Sequence, residues 1–210
     1  MSAERLRAFA PAGDPWLVPV LSLARAYEYD KAHTHHVTVL TLALFDQLYA
    51  LHRLRVQHRR WLIGAALLHD IARVPGQRAH QRAAARIIAK SPALPWSRRV
   101  RYIVGAVARY HRGPLPRRDH VVFGSLSEAD RRAVVLLAAM LRLADGLDFT
   151  HTGAVRGIRC RVTPERIEII CRTCADAAAD IARGVKKSDL ARKAFGREIR
   201  VEPDRTSRRS

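Results

Sequence analysis

The spacing of apolar residues changes after Gly153, and that change limits what this chain can fold into. Up to about residue 150 they recur every three to four positions, and beyond Gly153 they alternate. The first pattern gathers side chains on one stripe of a helix, the second on one face of a strand. Leu17, Val20, Leu21 and Ala24 mark a short helix between Pro15 and about Tyr29. Asp30 is placed to cap a second, running through Val37, Leu40, Leu44 and Leu48 to about Arg53. A third spans roughly His58 to Ala72 and stops before Pro75-Gly76; a fourth covers about Arg78 to Lys90 and ends at Ser91-Pro92. A fifth, Trp96 to His111, is closed by Gly113 and Pro114. Ser127, with Asp130 three residues on, opens a sixth through Leu136, Met140 and Leu143.

Past Gly153, Ile158, Cys160 and Val162 alternate with Gly157, Arg159 and Arg161. After Thr163-Pro164-Glu165 the alternation resumes with Ile167, Ile169 and Cys171. This predicts a β-hairpin with one apolar and one charged face. A helix from about Ala175 to Phe195 and a short strand, Glu198 to Val201, follow. The fold class expected is mainly α: a helical body over 16–150 and a small α+β appendage over 154–203, with flexible ends at 1–15 and 204–210. Abundant Ala and Leu with only 6% aromatics suit helix-on-helix packing, and 48% hydrophobic residues suffice for a core.

Charge bears on partners. Lys and Arg number 38 against 19 Asp and Glu, a formal net of +19. Such an excess favours polyanions: nucleic acid, polyphosphate, nucleotides or an anionic surface. The Arg-rich loop from Arg112 to Arg118 and the hairpin residues Arg156, Arg159, Arg161 and Arg172 are candidates for a polyanion track, against the alternative of a solvated basic face. No stretch reaches the roughly 18 apolar residues of a membrane span, and Trp16 to Ala24 is short and contains Pro19, so neither a membrane segment nor a signal peptide is expected. Three cysteines, an odd number, fit a reducing compartment, with cytoplasm the expectation. Cys171 and Cys174 have C-x-x-C spacing, but no second pair accompanies them, and core packing is the expected role of Cys160 and Cys171.

Chemistry is concentrated in a few histidines and aspartates. His69-Asp70 closes the apolar run Ala65-Ala66-Leu67-Leu68. Adjacent helical residues point about 100° apart, so both reach one ion only near a helix end. His33 shares the stripe of Val37 and Leu40, and Asp145 lies in a strongly apolar helix, where an unpaired carboxylate is costly. One His, a His-Asp pair and a distant Asp on three helices can converge in a bundle as metal ligands do. The alternative is that they are buried polar residues bonding one another.

The order His33, His69-Asp70, Asp145 resembles the H…HD…D signature of the HD superfamily of metal-dependent phosphohydrolases. The chain resembles more closely the C-terminal HD-like domain of the exopolyphosphatase/guanosine-pentaphosphate phosphatase (Ppx/GppA) family. The segments that carry the likeness are AHTHHVTVLTLALFDQL (32–48), AALLHDIA (65–72), ARYHRGPLP (108–116), LSEADR (126–131), AMLRLADGLD (139–148) and KAFGREIRVE (193–202). Ala72 stands where the family often has Gly, and Ala83 where a further His is common. The family's polyphosphatase chemistry resides in an actin-like domain with Gly-rich phosphate loops, and the 210 residues hold no such loop.

The resemblance implies a divalent metal (Mn, Mg, Zn or Fe) held by His33, His69, Asp70 and Asp145, with His80 and His111 as possible additions. It implies hydrolysis of a nucleotide or other phosphorylated or polyphosphate substrate, with Asp70 and His111 as catalytic groups. Arg73, Arg109, Arg112 and Arg142 are the candidates for binding the phosphoryl group, since guanidinium forks match phosphate oxygens. Asp148, three residues past Asp145, reads as a helix-end cap, with support of Asp145 as the alternative, and His35, His36, His52, His58, His120 and His151 read as surface or packing residues. The competing reading is a non-catalytic module that binds polyphosphate or RNA. Homodimerisation through the helical body is compatible with either.

Overall fold

The computed structural model describes residues 14–72 and 80–204. Its order is α1 (Leu17–Ala26), α2 (Lys31–Gln47), α3 (Tyr49–His52), α4 (Val56–Leu68), α5 (His80–Lys90), α6 (Arg98–Arg109), α7 (Val121–Gly124) and α8 (Glu128–Gly146). Then come β1 (Val155–Val162), β2 (Arg166–Thr173), α9 (Ala178–Lys187), α10 (Asp189–Phe195) and β3 (Glu198–Pro203). The chain is thus mainly helical with a small three-stranded sheet, as the change of apolar period predicts.

Helix α8 is the axis of the body. From Ala133 to Gly146 all but one of its residues are buried, and α2, α4, α6, α9 and α10 all pack on it. A helix apolar on every side belongs in a core. Ser127 caps it by accepting the Asp130 N–H at 3.1 Å. The Asp130 carboxylate turns to Arg99, accepting from Nε at 2.8 Å and Nη2 at 2.5 Å, and so ties α8 to α6.

Several boundaries differ from the sequence reading, each for a local reason. Asp30 caps α2, as its position suggests, by accepting the His33 N–H at 3.1 Å. The helix breaks at Leu48, and α3 ends at Arg53, which adopts a left-handed conformation with φ 52°. Helix α4 stops at Leu68, so His69 and Asp70 lie in the turn beyond it. The helix expected over 175–195 is two: the Ser188 hydroxyl donates to the Val185 carbonyl at 2.7 Å, and Asp189, the first residue of the next segment, accepts the Leu190 N–H at 2.8 Å. The start expected near Arg78 lies outside the described residues, as do the ends at 1–13 and 205–210.

The sheet order is β1-β2-β3. β1 and β2 form the antiparallel hairpin, pairing Cys160 with Ile169 and Ile158 with Cys171, while β3 lies parallel to β2 with Ile167 opposite Ile199. A parallel neighbour needs a long crossover, which α9 and α10 provide. The apolar face carries Ile167, Ile169 and Cys171 into the same core as the helices. The edge strand β1 docks on α2: Gln47 Nε2 donates to the Ile158 carbonyl at 3.2 Å, Gln47 Oε1 accepts the Cys160 N–H at 2.8 Å, and His36 Nε2 meets the Val155 carbonyl at 2.8 Å. These bonds use polar groups that an open strand edge would leave exposed. Cys160, Cys171 and Cys174 are free thiols, and burial pushes Cys160 and Cys171 up to about 12, as expected of packing residues.

Helices α8 and α9 cross closely. A Cβ on Gly146 would lie 3.0 Å from both the Arg183 carbonyl oxygen and the Gly184 Cα. Two facing glycines let the backbones touch, and this approach places Lys187 beside the last turn of α8.

Candidate metal centre

Helices α4, α6 and α8 end at one point, and α2 begins there. Their terminal residues form the cluster: His33 on the first turn of α2, His69 and Asp70 just beyond α4, His111 just beyond α6, and Asp145 on the last turn of α8. His80, the first residue of α5, joins it. Three helix C-termini carry partial negative charge toward this point, which favours a cation.

The imidazoles are oriented by their Nδ1 atoms. His33 Nδ1 meets Asp148 Oδ2 at 2.8 Å, His69 Nδ1 the Ala66 carbonyl at 2.7 Å, and His111 Nδ1 the Ala108 carbonyl at 2.6 Å. A carboxylate or carbonyl only accepts, so each Nδ1 carries the proton, and in the neutral ring each Nε2 is a lone pair. Those Nε2 atoms face carboxylate oxygens. His33 Nε2 lies 3.3 Å and His69 Nε2 3.7 Å from Asp145 Oδ1, while Asp70 Oδ1 is 3.8 Å from His69 Nε2 and 3.5 Å from His111 Nε2. His33 Nε2 and His69 Nε2 are buried and have no hydrogen-bond partner among the described residues.

Two ligands about 2.1 Å from a tetrahedral ion lie about 3.4 Å apart. The observed separations of 3.3 to 3.8 Å approach that edge. Two overlapping triads, His33–His69–Asp145 and His69–Asp70–His111, each bring their donor atoms within 4.8 Å of one another. Lone pairs and carboxylates converging in a buried space repel unless a proton or a cation lies between them. The residues present therefore fit a metal ion, with imidazole and carboxylate donors suited to Zn, Mn or Fe, or Mg.

Without an ion, a proton on His33 takes its place between the carboxylates. Burial alone would lower His33, but the Asp145 and Asp148 carboxylates beside it hold its imidazolium up to about 9. Burial pushes His111 down to about 3, so it is neutral at pH 7. Burial raises Asp70 and Asp145, yet Asp70 is held well below the carboxylate range by His69, His80 and His111, and Asp145 by Lys187, His33 and His69. His80 Nε2 is 3.0 Å from Asp70 Oδ1, and Arg112 Nη1 stands 3.4 Å from His80 Nε2.

Sequence reading missed Lys187 altogether and favoured a helix-end cap for Asp148 over support of Asp145. Lys187 Nζ contacts Asp145 Oδ2. No spacing in the sequence announces this, because Lys187 comes from α9, 42 residues away. Asp148 is 1% exposed; besides orienting His33, its Oδ1 accepts the Gly153 N–H at 2.9 Å. The i+3 spacing from Asp145 was the available signal for it. His151 stacks on His33 with ring centroids 3.7 Å apart and meets Asp30 at 2.9 Å.

The four arginines fare differently. Arg73 lies outside the described residues. Arg112 is exposed at the rim beside His80. Arg109 lies over the Tyr110 ring, 5.6 Å from its centroid, and lines a separate cavity. Arg142 makes four hydrogen bonds, two to the Asp189 carboxylate and one each to the Tyr110 and Gly113 carbonyls, so the structure places it as a strut between α8, α10 and the loop after His111.

The helix ends of the body thus gather four imidazoles and two carboxylates at one point. The particular family follows from the sequence: the family model for Ppx/GppA phosphatase, domain III, matches residues 18–174, and the chain belongs to that family. No curated protein matches this chain. No described helix is long and apolar enough to cross a membrane.

Proposed function

We propose that this cluster holds a divalent metal ion and that the chain is a phosphohydrolase of the HD type, acting on a nucleotide or other phosphorylated or polyphosphate substrate. The observation that carries this is the orientation of His33, His69 and His111, whose tethered Nδ1–H groups aim three Nε2 atoms at Asp70 and Asp145. Membership of a phosphatase family supports it.

His33, His69, Asp70 and Asp145 are the residues we assign to hold the ion, with His111 as a further donor. A divalent ion there would acidify water and screen phosphoryl oxygens. Asp70, in the second triad with His69 and His111, would orient the attacking water and take its proton. His111, neutral and tethered at Nδ1, suits a ligand better than a proton donor. Arg112 beside His80 presents a guanidinium at the rim for phosphoryl oxygens. Lys187 steadies Asp145 through Oδ2 and leaves Oδ1 turned to the imidazoles.

The test is metal content and hydrolysis. Protein purified without chelators is expected to carry a divalent metal and to hydrolyse phosphorylated substrates. A His69→Ala/Asp70→Ala variant loses both, with activity falling by at least about a hundredfold for want of an activated water. No bound metal in either protein, with equal activity, would overturn the reading. The second reading, a polyanion-binding module for polyphosphate or RNA, draws on the net +19 and the exposed Arg112, Arg117, Arg118, Arg156 and Arg159. It expects binding that survives the variant and fades steeply with salt.

A further inference from the structure

A cavity of about 460 Å³ opens between α5, α6 and the Val121–Gly124 segment, and none of the metal-cluster residues line it. Its size falls in the roughly 300 to 1,000 Å³ range of small-molecule sites. Arg82, Arg86 and Lys90, spaced four residues apart, form one stripe of α5 along its edge, and Arg109 closes it from α6. No acidic residue lines the cavity, and none of these four cations forms an ion pair with a described residue. Four like charges around one concavity raise its potential and favour an anion.

The remaining wall is mostly apolar, with His120 its one other polar side chain besides the tyrosine hydroxyls. The floor is Ala85, Ala89 and Ala106, with the helices drawn together at Gly105, where a Cβ would lie 2.9 Å from the Ala85 carbonyl oxygen. Tyr102, Tyr110 and Phe123 supply ring surface. Arg109 already lies over Tyr110, and the Tyr110 hydroxyl is bonded to His120 Nδ1 at 2.7 Å, which fixes the ring. A bare oligophosphate would pair with the cations but leave this apolar half uncovered. A neutral aromatic would do the reverse.

We propose that this cavity is a nucleotide-binding site, with the phosphates on Arg82, Arg86 and Arg109 and the base against the Tyr102 side of the wall. The site is separate from the metal cluster and takes its ligand without a metal.

The experiment is calorimetric titration in EDTA with ATP, tripolyphosphate and adenosine. ATP is expected to bind, tripolyphosphate to bind about tenfold more weakly, the worth of one base stacked on an aromatic ring, and adenosine weakest. Arg82→Glu/Arg86→Glu, both exposed and remote from the core, is expected to weaken ATP by at least about tenfold through the loss of charge-assisted bonds. Tyr102→Ala weakens ATP but not tripolyphosphate. His69→Ala/Asp70→Ala leaves ATP binding unchanged, which separates this site from the metal centre. Tripolyphosphate binding as tightly as ATP, no ATP binding at all, or ATP binding indifferent to the charge reversal would each overturn the proposal.

Discussion

At the scale of single residues, the centre depends on atoms that touch no ligand position. Asp148 is buried, accepts the His33 Nδ1–H and thereby fixes which nitrogen faces Asp145. Groups that orient a ligating imidazole typically contribute about 10- to 100-fold in metal affinity. Asp148→Ala is therefore expected to weaken divalent-metal binding by that factor, measured by titration calorimetry, while the helical circular dichroism persists. An unchanged affinity would mean that His33 needs no orienting partner. The sequence could not distinguish this role from a cap, because a cap is local, whereas His33 lies 115 residues away. His35, His36 and His52 show the same limit from the other side. All three are buried, and each is satisfied locally or against the sheet: His35 by Tyr29 at 2.8 Å, His36 by Val155, His52 by the Phe45 carbonyl at 2.8 Å. They are packing residues, as read from their surroundings.

At the scale of elements, the helices and the hairpin were legible because apolar period and caps are local properties. What local signals misjudged were the breaks, at Leu48 and Ser188, and the stop of α4 before the doublet. The start of α8 makes a testable case. Asp130 is buried, which alone would raise its carboxyl, but hydrogen bonds from Arg99 and Ser127 and the Arg99 charge outweigh that and lower it below 3.8. A carboxyl lowered in the fold contributes stability that is full above its unfolded value and vanishes as pH falls through the folded one. Arg99 is 59% exposed, so solvent screens the pair. Relative to the native chain, Asp130→Asn is expected to lose about 0.5 to 1 kcal/mol at about pH 6. That difference should close as the pH falls through and below the ordinary carboxylate range. Chemical denaturation at both pH values measures it, and a difference independent of pH would show that packing, not charge, holds Asp130.

At the scale of the whole molecule, the sequence suggested a helical body over 16–150 with an appendage over 154–203. The core runs through both: Ile167, Ile169, Ile199, Val201 and Leu190 belong to the same buried cluster as Leu40, Leu68 and Leu137. Asp180, fully buried on α9, accepts both the N–H and hydroxyl of Thr150, at 2.8 and 2.9 Å, and fastens the appendage to the loop after α8. One continuous core unfolds as one unit. Calorimetry is expected to show a single transition, and two separable ones would mark the appendage as independent.

What the sequence determined by itself is what short-range physics encodes: helices to residue 150, strands after 153, and four residues, His33, His69, Asp70 and Asp145, worth placing on one ion. The tertiary structure alone decided that their donor atoms do lie together, that Asp148 orients one of them, and that Lys187 arrives from α9 to pair with Asp145. It also turned Arg142 into a strut and Arg109 toward another cavity. The reason is physical. A period of 3.6 or 2 is written into neighbouring residues, whereas the meeting of side chains 42 or 115 positions apart depends on how helices cross. For Lys187 that crossing is the close approach of α8 and α9 at Gly146 and Gly184, which no local pattern foretells.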